Sequence, residues 1–112
     1  MKNQFRLTLL AAAALAFSTA RAADSNQTGH ITRVSYITSG VLIMLDTGPP
    51  TNCSATPYGW MMIAAPYTAM IAFVTGLWFQ GGAASTQLAV YTSGIDGTGY
   101  CQVSQIDTQS AG

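Results

Sequence analysis

The sequence predicts a mainly β protein with one helix, an OB-fold-like five-stranded barrel of order β-β-β-α-β-β. Three observations carry that expectation. Five short stretches are rich in Val, Ile, Thr, Tyr and Met, and clusters of Gly, Pro, Ser and Asn separate them. A charge-free stretch, Trp60 to Phe79 (WMMIAAPYTAMIAFVTGLWF), holds both tryptophans and three of the five methionines, and it divides at Ala65-Pro66. Its second half falls between the third and fourth strand-like stretches, which is the order of a partly open Greek-key barrel. A meander sheet covered by one helix is the other arrangement this order allows.

Taken from the start, Lys2 and Arg6 precede an apolar run, Leu7 to Phe17, and Ala20-Arg21-Ala22 follows it. This pattern predicts a secretory signal peptide over residues 1–22, cleaved after Ala22. The product would be secreted or periplasmic. Of the 112 residues, 90 remain as a single OB-like domain over 23–112, enough for one modest core. Residues 23–29 are polar and read as a loose arm. His30 to Thr38 (HITRVSYIT) reads as a strand with Ile31, Arg33, Ser35 and Ile37 on one face and Val34 and Tyr36 on the other. Thr38-Ser39-Gly40 supplies a turn into Val41 to Asp46 (VLIMLD), a nearly continuous apolar run that suits a central strand.

Residues 47–59 (TGPPTNCSATPYG) form a long loop with three prolines and two glycines. The third strand is predicted over Trp60 to Ile63, and a helix over Pro66 to about Gln80, closed by Gly81-Gly82. Tyr67, Met70, Ile71, Val74, Leu77 and Trp78 share one helical face. Ala69, Phe73, Gly76 and Gln80 lie round the other side, where only Gln80 is strongly polar. A helix apolar on all sides is buried on all sides, and so short a chain cannot cover both faces. Ala69, Phe73, Gly76 and Gln80 are therefore candidates for an interface in a homo-oligomer; a water-tolerated Ala/Gly face is the alternative. Thr86 to Thr92 (TQLAVYT) alternates as a fourth strand with Leu88 and Val90 together, residues 93–99 (SGIDGTG) form a hairpin loop, and Tyr100 to Asp107 is the last strand.

Charge and cysteines narrow the function. Beyond residue 22 the only basic residue is Arg33, against Asp24, Asp46, Asp96 and Asp107, a formal charge of −3. So few cations exclude nucleic acid and anionic lipid surfaces as partners. Cys53 and Cys101 are the only cysteines and predict one disulfide. No metal or other cofactor is expected, with a single His and no clustered ligands. Catalysis is not expected either. His30 stands at the start of a strand, the aspartates sit at turns and termini, and no His/Asp set is in place to activate the serines. For binding, Tyr58 and Trp60 beside the long loop and Tyr91 and Tyr100 flanking the glycine-rich hairpin offer flat faces with polar tips suited to a sugar ring. Each also suits a strand or core position.

The opening GHITRVSYITSGVLIMLD, the isolated Cys53, GWMMI leading into the helix and the closing QLAVYT…GYCQVSQID together resemble the OB-fold B subunits of AB5 toxins, of the subtilase-cytotoxin and pertussis-like type. The resemblance implies a pentameric ring with the helices at its centre and binding to cell-surface glycans. The family's sugar-binding Ser and Tyr residues have no assignable positions in this sequence, and nothing here points to a catalytic partner subunit. The expected function is thus a non-enzymatic exported binding module, glycan-binding in the manner of a toxin B subunit. Two alternatives stand beside it. One is a periplasmic structural or inhibitory protein that binds another protein through its apolar helix. The other is a small membrane-inserting protein using residues 60–79, which Pro66 and the absence of flanking cations disfavour.

Overall fold

The computed structural model describes residues 25–109; the expected signal peptide lies outside them. Six strands and one α-helix run in the order β1 (Ser25–Gly29), β2 (Ile31–Ile37), β3 (Gly40–Leu45), β4 (Met61–Ala64), α1 (Thr68–Phe79), β5 (Gln87–Ile95) and β6 (Cys101–Gln109). Single-turn 3-10 helices at Thr51–Cys53 and Pro57–Gly59 interrupt the long loop. All strands belong to one sheet of spatial order β1-β5-β6-β4-β3-β2. Neighbours are antiparallel except β4 and β6, which run parallel with Met61 beside Cys101. By hydrogen bonding the sheet is open, since β1 and β2 do not pair. Yet these two edge strands are consecutive in the chain, with His30 alone between them. The sheet therefore curls until its edges meet at one residue.

The mainly β class with one helix is as predicted, but six strands form one open sheet in the order β-β-β-β-α-β-β, where five strands in a barrel were expected. Residues 25–29 are not the loose arm expected, because their backbone pairs with β5 from Ser25–Thr92 to Gly29–Leu88. Ser, Asn, Gln and Thr give no apolar alternation, so pattern reading missed a strand held by its main chain. The face assignment within β2 also changes. The ladder skips between Ile31 and Arg33, a one-residue bulge that reverses side-chain alternation. Ile31 and Val34 consequently face the core together, while Arg33 turns outward. Further on, β5 continues to Ile95, so the connection to β6 is shorter than the 93–99 loop expected.

The core lies between the concave sheet face and α1. Ile31, Val41, Ile43, Leu45, Met61, Ile63, Leu88, Val90 and Val103 line it from the strands. Val74 enters from the helix fully buried, flanked by Met70, Ile71, Leu77 and Trp78. The predicted stripe is thus correct except for Tyr67, which is 53% exposed. Pro66 precedes the helix in a turn closed by Tyr67 N–H to Ala64 O and does not stand at its first position. The C-terminus ends as the sequence suggested. Gly81 takes a left-handed φ of 76°, Gly82 N–H bonds Leu77 O and Gly81 N–H bonds Trp78 O, which satisfies the last carbonyls as a Schellman motif.

Cys53 and Cys101 form the expected disulfide, both fully buried, with Cα atoms 5.4 Å apart. It fastens the long loop to the start of β6. Thr56 reinforces the link: its Oγ1 accepts from Cys101 N–H and donates to Trp60 O. Asn52 and the buried Thr92 bond reciprocally across to β5, where the β5–β6 ladder is irregular. Closing a 48-residue separation restricts the unfolded chain by about 4 kcal/mol in the chain-entropy account. Replacing both cysteines by Ala should lower stability by about that amount. Urea denaturation should show a lower midpoint and a steeper slope, because the unfolded chain expands once the crosslink is gone.

Candidate functional site

A cleft lies beside the break between β1 and β2. His30 N–H donates to Asp46 Oδ1 at 2.9 Å, and Asp46 N–H donates to His30 O at 2.9 Å. The imidazole Nδ1 lies 3.3 Å from Asp46 Oδ2. Thr47 Oγ1 donates to Thr28 O, and Gln27 Nε2 donates to Thr47 O. The end of β3 thereby clasps the bend in the first strand. Gly29 makes room for the clasp, since a Cβ there would stand 2.6 Å from both Asp46 Oδ1 and Thr47 Oγ1.

Beside this clasp opens a cleft of about 510 Å³ lined by His30, Ile31, Thr32, Asp46, Trp78, Gly81, Ala83 and Ala84. The helix contributes Trp78 from its last turn, and the Schellman glycines lead the chain round to Ala83 and Ala84. The lining thus combines an indole and small apolar groups with a carboxylate, an imidazole and a hydroxyl. A concave apolar surface with a few convergent polar groups is the usual form of a small-ligand site. The His30 main-chain N–H, above all, and then the imidazole, hold the Asp46 carboxyl below its ordinary value of 3.8. Asp46 is therefore ionised at neutral pH, with acceptor capacity left on both oxygens.

This site was not legible in the sequence. Continuing the β2–β3 hairpin without a bulge would set Asp46 opposite Ile31; the extra residue in β2 moves it opposite His30. The only signal available was that His30 and Asp46 stand at the two ends of a predicted hairpin.

The four aromatic candidates do not line this cleft. Trp60 and Tyr100 precede Met61 and Cys101, which pair in parallel, so they stand at one end of neighbouring strands. Tyr58 lies two residues before Trp60, 89% exposed and with a left-handed φ of 55°. Tyr91 is apart from these three, half-buried on β5 between Asn26 and Gln105. Of the helix candidates, Ala69, Phe73 and Gln80 are exposed, and a Cβ on Gly76 would meet nothing. Phe73 borders a second groove with Ile106, Asp107 and Thr108. Asp96 serves its turn: the Thr98 hydroxyl and main-chain N–H both donate to its Oδ1 and lower its pKa. Among the described residues no three His, Cys, Asp or Glu group as metal ligands, and no helix is long and apolar enough to cross a membrane.

A carboxyl held below its ordinary pKa keeps its native bonds above that range and loses them as the pH falls through the lowered value. The Asp46 carboxyl carbon should therefore titrate below 3.8 by NMR. His30→Ala should leave most of that depression in place, because the main-chain N–H remains. A return to the ordinary value in that variant would assign the effect to the imidazole instead.

No protein-family model matches this chain, and neither a curated protein nor a solved structure is a match.

Proposed function

We propose that this protein is an exported, non-enzymatic binding module that takes a neutral sugar unit in the His30–Asp46–Trp78 cleft. The observation that carries the reading is the presence of an exposed carboxylate and an indole in the lining of one cleft. The C–H face of a pyranose packs on an indole with little loss of hydration. Hydroxyl groups on its rim donate to an ionised carboxylate in charge-assisted hydrogen bonds. The glycan-binding expectation is kept, although at residues other than Tyr58, Trp60, Tyr91 and Tyr100. Export accords with the buried disulfide, which persists in oxidising compartments.

Glycan binding by one shallow cleft is weak, and repetition of the site strengthens it. Here the outer face of α1 bears on the reading. The helix carries no charged residue, Phe79 is 73% exposed at its end, and Phe73 and Ala69 are also exposed. A second copy of this chain, offering the same uncharged face, is the partner we propose, with a pentamer as the expected ring. Capture of a different protein on this face is the second reading, favoured by the same exposed phenylalanines.

On a glycan array, Trp78→Ala and Asp46→Asn should each abolish binding to whichever neutral glycans the native protein retains, while Tyr91→Phe should not. Unchanged binding in both variants would remove the cleft from the function. Light scattering of the unreduced protein on a sizing column should give a discrete multiple of the chain mass. Phe73→Ser with Phe79→Ser should return it to a single chain. A native monomer would favour the second reading.

A further inference from the structure

Beyond residue 22 the chain holds two asparagines, and each opens an Asn-X-Ser/Thr triplet: Asn26-Gln27-Thr28 and Asn52-Cys53-Ser54. This triplet is the acceptor pattern for N-linked glycans in exported proteins, which need it at the surface. A triplet alone is a weak signal, but the structure separates these two. Asn52 sits in the 3-10 turn Thr51–Cys53, half-buried, beside the fully buried Cys53 of the disulfide. Its Nδ2 donates to Thr92 O at 3.2 Å, and its Oδ1 accepts from the Thr92 hydroxyl at 2.8 Å. The nitrogen that would take a sugar is engaged there, and freeing it breaks the bonds that tie the long loop to β5.

Asn26 is the opposite case. It is exposed on β1, the strand that ends the sheet, opposite Tyr91 of β5. Thr28 gives the clasp only its carbonyl, and among the described residues no hydrogen bond engages the Asn26 amide or the Thr28 hydroxyl. The strand carries no apolar side chain, so lifting it into a transferase uncovers none of its own. The sequence adds an independent criterion. Transferases of the periplasm that read this triplet also require an acidic residue two positions before the asparagine. Asp24 stands there for Asn26, whereas Pro50 stands there for Asn52. We propose that Asn26 is the acceptor of an N-linked glycan, transferred from a lipid-linked oligosaccharide. In that step the Asn26 Nδ2 attacks the anomeric carbon of the donor's first sugar. A C–N bond forms, the C–O bond to the lipid diphosphate breaks, and the diphosphate leaves with that electron pair. The nitrogen gives one proton to a base of the transferase, and nothing is oxidised or reduced. A strand that ends a sheet invites pairing with another chain, which a bulky hydrated group on it hinders. The inference rests on the export part of the proposed function and not on the cleft.

The chain of residues 23–112, with its disulfide intact, would be incubated with a purified oligosaccharyl transferase of the acid-requiring class and its lipid-linked oligosaccharide. Peptide mass mapping should find one glycan, on Asn26, and none on Asn52. Asn26→Gln and Thr28→Ala should each lose it, while Thr28→Ser and Asn52→Gln should keep it. A protein left bare while a peptide of residues 23–29 is modified would overturn the accessibility of Asn26. A bare peptide as well would overturn the triplet as an acceptor. Transfer to Asn52 in the disulfide-bonded protein would overturn the selection between the two triplets. Isolated from its own source, the chain cleaved after Ala22 should carry the added mass on Asn26, and a cleaved chain without it would overturn the modification. Failure of the export reading alone would show as residues 1–22 retained at the source, with transfer to the purified protein intact.

Discussion

One bent strand holds this structure together. Residues 25–29 pair with β5 and residues 31–37 pair with β3, so a single length of chain serves both edges of the sheet. That arrangement leaves the main-chain groups of His30 at the bend outside both ladders, and the end of β3 satisfies them. Asp46 gives a carboxylate to the His30 N–H and its own N–H to the His30 carbonyl. Buried or half-buried main-chain groups need partners, and this reciprocal pair supplies them at the one point where the sheet cannot. Gly29 is the steric condition for it, since any side chain would occupy the space of Asp46 and Thr47.

The remaining features follow from how the curl is covered. A strongly curled sheet presents a concave face that must be filled, and α1 fills it with Val74 at the centre and Trp78 at the end nearest the bend. The long loop closes another part of the core through the disulfide and through Thr56 and Asn52, whose side chains bond to β6 and β5. Each of these partners is distant in sequence, so the loop is fixed by tertiary bonds and not by its own propensity. The cleft is what remains where the helix terminus and the strand bend fail to meet.

Much of the fold was legible. A continuous apolar run located β3, the period-3.6 and period-2 patterns located α1 and β5, and Gly81-Gly82 marked the helix end. The division of the apolar stretch at Pro66 separated strand from helix and argued against a membrane span, in keeping with a helix of only 12 residues. Less was legible at the candidate sites. Tyr58, Trp60 and Tyr100 were recognised by residue type, and the parallel pairing of β4 and β6 brings Trp60 and Tyr100 together. Arg33 was read as the sole cation without any hint that an indole lay beneath it. Its outward direction depends on a bulge, and no residue at positions 31–33 announces one.

What the sequence by itself determined was the class of the protein: apolar strand-like stretches, one uncharged helix, and a disulfide between its only two cysteines. Those properties are local or compositional, and no partner is needed to read them. Tertiary structure alone decided that a polar segment is a strand, that His30 meets Asp46, and that Arg33 lies over the Trp60 ring. All three rest on register. Shifting a strand by one residue exchanges its two faces at little local cost, so only the packed sheet selects among the alternatives.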